Sequence, residues 1–364
     1  MRDSTQGGVP MLFDKLKIRD ITFRNRIVVS PMCQYSSEDG FAADWHLVHL
    51  GSRAVGGAGL IITEATAVEA RGRISPHDLG IWQDDHIPML QRITAFIEAQ
   101  GALAGMQLAH SGRKGSTYRP WEGDSLADEH HGGWKPVVAP SAIPFSPNHA
   151  VPKALTVPQI AETVNSFAKA AQRALDAGFK VIEIHAAHGY LIHEFLSPVA
   201  NKRSDDYGGP FKNRIRMALE IVRAVRRVWP ERYPVFVRIS ATDWLEPEGW
   251  DLEQSLELAR ILKTEGVDLI DCSSGNIVPD AKIPAGPGYQ VVFAERIRKE
   301  TGIMTGALGL IVSPQQAETI IRTGQADVVV IARQFLRDPY WPLHAAAELK
   351  EQIGWPVQYN RASV

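Results

Sequence analysis

Cysteine is nearly absent: Cys33 and Cys272 are the two in 364 residues. So few thiols argue against a disulfide framework and for a reducing, cytoplasmic compartment. They also cannot supply the four thiolates that usually hold an iron–sulfur cluster. Charge of one sign is lacking as well. With 39 basic and 41 acidic side chains the net charge is −2, which gives no electrostatic reason to expect a nucleic-acid or anionic-membrane partner. No apolar run approaches the ~18 residues of a membrane-spanning helix. Residues 1–10 have no apolar segment behind a basic start, so they read as a frayed tail rather than a signal peptide. There is no solenoid-period repeat and no low-complexity tract. The composition left is that of a soluble globular protein, with one domain expected over residues 11–364.

What is present is alternation. Short β-branched runs stand at Ile27–Met32, Leu60–Thr66, Leu103–His110, Val181–His188, Val235–Ala241, Leu269–Ser274, Ile303–Leu308 and Val328–Arg333. Each is followed by a helical stretch, the pattern of strands buried on both faces. Thr156-Val157-Pro158-Gln159 and Ser313-Pro314-Gln315-Gln316 read as capping boxes with an early proline. Behind the first, Ile160, Val164, Phe167, Ala171 and Leu175 keep helical spacing up to Gly178, and Asp251 opens a similar segment that Gly266 closes. Eight strand–helix units predict a parallel sheet closed as a (β/α)8 TIM barrel, with an open doubly wound sheet as the alternative. Phe13–Arg24 reads as an N-terminal hairpin plugging the barrel bottom. Residues 111–155 form a long loop insertion after strand 3, the kind that serves as a lid or binding loop.

Barrel sites lie at the C-terminal ends of the strands. Strand 4 ends in Glu183-Ile184-His185-Ala186-Ala187-His188-Gly189-Tyr190, and alternation turns Glu183 and His185 inward. Two imidazoles there can grip a carbonyl or phenolate oxygen, and a tyrosine beside them can give a proton. The bland alternative is a set of satisfied polar residues closing the mouth. A zinc site is disfavoured because strand 1 has no His-x-His pair. On strand 5, Phe236, Arg238 and Ser240 point inward, and a buried arginine needs an anion. An anionic ring would serve, or an internal ion pair with Glu183 or Glu64. Gly306-Ala307-Leu308-Gly309 and Ala332-Arg333 follow strands 7 and 8, where barrels often bind phosphate. Cys33 ends strand 1, and a buried inert thiol is its commoner role. Gln107 is inward on strand 3, with an amide able to read a heterocycle edge.

These segments resemble the old yellow enzyme family of flavin reductases over nearly the whole chain. The resemblance is carried by Asn25-Arg26-Ile27, Ser30-Pro31-Met32, Glu64-Ala65-Thr66 and Gln107-Leu108-Ala109-His110. The run from His185 through Pro198, its continuation from Asn201 to Gly209, and Ala332 through Pro339 carry it further. Pro31-Met32-Cys33-Gln34-Tyr35, paired with two histidines, is similar to the bacterial thermophilic-like subgroup that includes xenobiotic reductases. The resemblance implies non-covalent FMN at the barrel mouth, with Ser30, Pro31, Met32 and Cys33 against its ring. Ala65, Gln107 and Arg238 would meet its polar edge, and Gly309, Ala332 and Arg333 its phosphate. An arginine at that edge suits the negative charge of reduced flavin.

It further implies ping-pong reduction of activated C=C bonds in enones or nitro compounds, with NADPH or NADH as reductant. Hydride would pass from flavin N5 to the β-carbon. His185 and His188 would polarise the substrate, Tyr190 would protonate the α-carbon, Cys33 would tune the flavin, and Tyr35 would hydrogen-bond the ligand. Arg361 would reach a neighbouring subunit's site, so a homodimer or homotetramer is expected. Two departures from the family pattern stand out: Ala332 replaces a common glycine, and Gly306-Ala307-Leu308-Gly309 is unusual wording. The competing readings are a non-catalytic flavoprotein and an aldolase-type lyase. The lyase would need a Schiff-base lysine, and Lys114 reads as lying outside the barrel proper.

Overall fold

A computed structural model describes residues 8–123 and 125–363. Of the expected tail, residues 1–7 lie outside the described residues. The antiparallel hairpin is there, β1 (Leu16–Ile18) against β2 (Ile21–Phe23), with Leu16 opposite Phe23. The barrel starts with β3 (Ile27–Val29), β4 (Leu60–Ala67) and β5 (Leu103–Ala109). The insertion holds a two-residue pair, β6 (Val138–Ala139) and β7 (Lys153–Ala154). The barrel resumes with β8 (Val181–Ala186), β9 (Val235–Ser240), β10 (Leu269–Ser273), β11 (Met304–Ala307) and β12 (Val328–Ile331). Parallel pairing runs β3-β4-β5-β8-β9-β10-β11-β12 and returns to β3, so the eight-stranded barrel is closed and the open-sheet alternative falls.

The helices are α1 (Asp44–Val55), α2 (Ile87–Ala99), α3 (Val157–Asp176), α4 (Leu191–Leu196), α5 (Phe211–Arg214) and α6 (Arg216–Val228). They continue with α7 (Leu252–Thr264), α8 (Val291–Thr301), α9 (Pro314–Arg322), α10 (Arg333–Arg337) and α11 (Trp341–Leu349). Among the described residues none is long and apolar enough to cross a membrane.

Local chemistry explains the boundaries. At α3, Thr156 accepts from the Gln159 N–H while the Gln159 carboxamide accepts from the Thr156 N–H, a full capping box. At α9 the box is half made. Ser313 caps the Gln316 N–H, but the Gln316 side chain turns to the Val312 N–H. Strand β3 stops three residues short of the expected Met32. Pro31 has no N–H for a ladder, so the chain leaves the sheet before it. Outward strand residues such as Ile182, Ile184, Val235, Val237 and Ile239 join the large core beneath the helices. Inward residues Val28, Leu60, Ile62, Val181, Phe236, Leu269 and Val328 pack with Leu16, Ile18 and Phe23 of the hairpin in a second core. The hairpin is the plug that the sequence predicts.

Candidate active site

Two residues above that apolar plug, the inward positions turn polar. Arg238 on β9 is paired in register with Asp271 on β10 and His185 on β8. Its Nε donates to Asp271 Oδ2 at 2.8 Å and its Nη2 to Ser30 Oγ at 3.0 Å. Glu183 Oε1 lies 3.7 Å from Arg238 Nε and accepts from Gln107 Nε2 at 2.7 Å. The expected internal ion pair therefore exists, but its first partner is Asp271. Glu64 is not in it. A bulge shifts the β4–β5 register between Ile62 and Ala65, which undoes the parity that would have turned Glu64 inward. Glu64 instead sits 3.2 Å from His46 Nε2 and accepts from the Gln34 N–H. Burial, aided by Asp271 and opposed by Arg238, pushes Glu183 up to about 8. Glu183 Oε2 and Asp271 Oδ1 are buried without a hydrogen-bond partner, the pattern of two carboxyls that compete for one cation.

His185, His188 and Tyr190 come together as the motif predicts. The His185 ring lies 5.1 Å from that of His188 and 5.0 Å from that of Tyr190, edge to face in both cases. The Ala187 N–H donates to His185 Nδ1, so the proton of the neutral ring sits on Nε2. His188 takes φ +60, a left-handed conformation that costs a residue with a Cβ. It is held by its N–H donating to Ser240 Oγ at 2.9 Å and by Nε2 against Ser273 Oγ at 2.6 Å. Burial first, then nearby positive charge including Arg238 and Lys114, holds both imidazoles well below the usual histidine range. At neutral pH they are uncharged donors. The turn is fixed from behind, where the Gly189 N–H donates to His193 Nδ1 at 2.8 Å and His193 Nε2 lies 2.9 Å from Asp243.

A cleft of ≈ 320 Å³ leads away from this group. Ser30, Pro31, His188 and Arg238 line it together with Gly309, Ala332 and Arg333. Gly309 has φ +108, and a Cβ there would stand 3.0 Å from the Gln290 backbone nitrogen. It is a glycine by conformation and by space. Ala332 has φ −106, outside the left-handed region that would call for glycine. The strand-1 loop closes one side. Cys33 is partly buried beside Tyr35, and burial with Asp78 and Glu64 nearby pushes its thiol well above its usual value, so it is no thiolate nucleophile. Met32 packs against the core and Ala65 is buried. Tyr35 has φ +50 and meets the edge of Trp121 from the insertion at 5.7 Å. Arg361 is not brought to this cleft. It lies exposed in the turn Val357–Ala362.

This geometry agrees with the comparisons to known proteins. Residues 11–352 match the model of the NADH:flavin oxidoreductase / NADH oxidase family. The chain belongs to that family. A Geobacillus sp. (strain WCH70) protein named NADPH dehydrogenase is 52% identical over 353 residues, 96% of this chain and 98% of that protein. The solved morphinone reductase in complex with tetrahydroNAD is 26% identical, with a TM-score of 0.77, covering 95% of this chain and 93% of that one. The old yellow enzyme homologue from Zymomonas mobilis is 27% identical at TM-score 0.77, covering 96% and 95%. The chain is thus an FMN-dependent oxidoreductase of the old yellow enzyme type, supplied by a reduced nicotinamide. Its residues fit FMN: Arg238 and Arg333 both line the cleft, and a Cβ at Gly309 would crowd the Gln290 backbone.

Several site residues escape the sequence reading. Asp271 and Ser273 follow from the same alternation that exposes Arg238, applied one strand later. Gln290, which donates to Ser274 Oγ at 2.7 Å, and His193 with Asp243 carry no local signal. Lys114 lies past β5, outside the barrel strands as expected, but its Nζ reaches the mouth and donates to the His188 carbonyl at 3.0 Å.

Proposed function

We propose that this protein reduces the activated C=C bond of an α,β-unsaturated carbonyl or nitro compound in two alternating half-reactions, with NADPH as reductant. The observation that carries the reading is the pair of neutral imidazoles, His185 with its tautomer set and His188 beside it, with Tyr190 against the first. When bound, FMN would supply the hydride chemistry between the nicotinamide and the β-carbon of the substrate. Ser30, Pro31, Met32 and Cys33 would hold its ring, with Ala65 at its polar edge. Gln107 and Arg238 meet its polar edge, the amide oxygen of Gln107 being left over after its nitrogen binds Glu183. Gly309, Ala332 and Arg333 take the phosphate.

His185 and His188 donate to the substrate oxygen. Being uncharged, they withdraw electron density without giving up a proton. Tyr190 protonates the α-carbon, and Tyr35 binds the ligand from the other side. A second copy of the chain supplies Arg361, in a homodimer or homotetramer. The NADPH dehydrogenase name of the Geobacillus relative favours NADPH over NADH.

Anaerobic absorbance titration tests this directly. The flavin band should bleach with NADPH and return with 2-cyclohexenone, and a band that stays bleached would sink the substrate assignment. His185→Ala should weaken phenol binding and slow enone reduction by roughly tenfold or more. Unchanged values for both would remove His185 from the site.

A further inference from the structure

Lys114 is left over from the chemistry above, and its placement is specific. It ends the turn Gly112–Lys114 at the base of the insertion. That turn is clamped. Gly112 has φ +60, a Cβ there would collide with Glu194, and Glu194 Oε1 accepts from the Arg113 N–H at 2.8 Å. The ammonium is delivered to the back of the His-x-x-His-x-Tyr turn. It donates to the His188 carbonyl at 3.0 Å, with the Asn276 carbonyl at 3.5 Å. It also stands 5.1 Å from the centroid of the Tyr190 ring and 4.4 Å from that of Phe145. Phe145 covers it from the insertion, and covering a charge strengthens its field on its neighbours. Glu194, beneath the same turn, is pushed up to about 8 by burial, so at neutral pH it does not cancel that field.

We infer that Lys114 is a positioning residue of the protonation step: its ammonium, seated on the His188 carbonyl and over the Tyr190 ring, favours the phenolate that proton transfer leaves behind. The balance is simple. The Tyr190 O–H bond breaks, a C–H bond forms at the substrate α-carbon, and the phenolate negative charge appears beside Lys114 until water returns a proton. The inference rests on the proposed donor role of Tyr190.

The test is the oxidative half-reaction of reduced holoenzyme with 2-cyclohexenone, followed by stopped-flow absorbance. Lys114→Met should slow it about tenfold. Lys114→Gln, which keeps hydrogen-bond donors but no charge, should slow it alike, and Lys114→Arg should restore most of the rate. Phenol binding should stay as in the parent for all three. In a Tyr190→Phe background, itself slow, Lys114→Met should cost nothing further. A parent-like rate for Lys114→Met beside a slow Tyr190→Phe would overturn the inference and leave Tyr190 as donor. A parent-like rate for Tyr190→Phe would overturn both. Equal slowing by Lys114→Met in the two backgrounds, or loss of phenol binding with no rescue by arginine, would reduce Lys114 to a strut.

Discussion

On β8, Val181 faces the hairpin plug and Glu183 and His185 follow it on the same inward face; on β9, Phe236 is followed by Arg238 and Ser240, and on β10, Leu269 by Asp271 and Ser273. One alternation thus produces two different interiors, about 7 Å apart along each strand. The lower one is apolar and sealed by Leu16, Ile18 and Phe23. The upper one buries an arginine with two carboxyls, and beside them two uncharged imidazoles. Buried charges are weak evidence of stability and strong evidence of a task. The plug can be read as what permits the mouth: the lower layer supplies cohesion that the upper layer, built for a ligand, does not.

Substitutions in the two layers should separate these roles. Phe236→Ala has the largest expected effect on folding. Phe236 is buried and stacked 6.4 Å from Phe23, and its truncation should cost about 4 kcal/mol in denaturant unfolding. The protein that remains folded should keep its flavin spectrum and phenol affinity. Arg238→Met comes next, on the order of 3 kcal/mol, because it leaves Asp271 buried without its cation. Here the second readout must move, with FMN titration showing weaker binding. If Arg238→Met spared FMN affinity while Phe236→Ala lost it, the division of labour between the layers would be wrong.

The fold was legible because both layers obey period-2 alternation and each helix carries its own stop signals. The barrel, the plug and the side-chain directions on β8 and β9 all follow from that. Glu64 shows where the rule stops. A bulge costs one strand its parity, and nothing in Ile62-Thr63-Glu64-Ala65 announces it. Asp271 was within reach, since a carboxylate in an apolar strand beside one bearing an inward arginine is a pairing signal. Lys114 was not. Its place depends on a turn folding back over the mouth, a long-range fact fixed by Glu194 and Gly112 rather than by its neighbours in sequence.

The smallest expected effect is on the pH dependence of stability, and it too should divide the molecule. Burial raises Glu183 and Glu194 to about 8 and Asp78 to about 7, all in the mouth and its surrounding loops; the hydrophobic plug residues contribute no such group. A carboxyl with a raised folded value binds its proton more tightly folded than unfolded. Its contribution is therefore full below the ordinary carboxylate range and is lost as pH climbs through about 7 to 8. His49 acts on the other side. Burial lowers it to about 3, so its share is present above the usual histidine value and is lost as pH falls from about 6.5. With three carboxyls against one imidazole the carboxyls outweigh it, so Tm should peak at about pH 4 and decline toward pH 8.5, by a few °C for each carboxyl. Glu194→Gln keeps an acceptor for the Arg113 N–H and has no proton to lose, so it should flatten the alkaline limb by its share. Phe236→Ala should lower the whole curve and leave the slope as it was. A slope that changed in the plug variant and not in Glu194→Gln would place the titrating groups in the wrong half of the barrel.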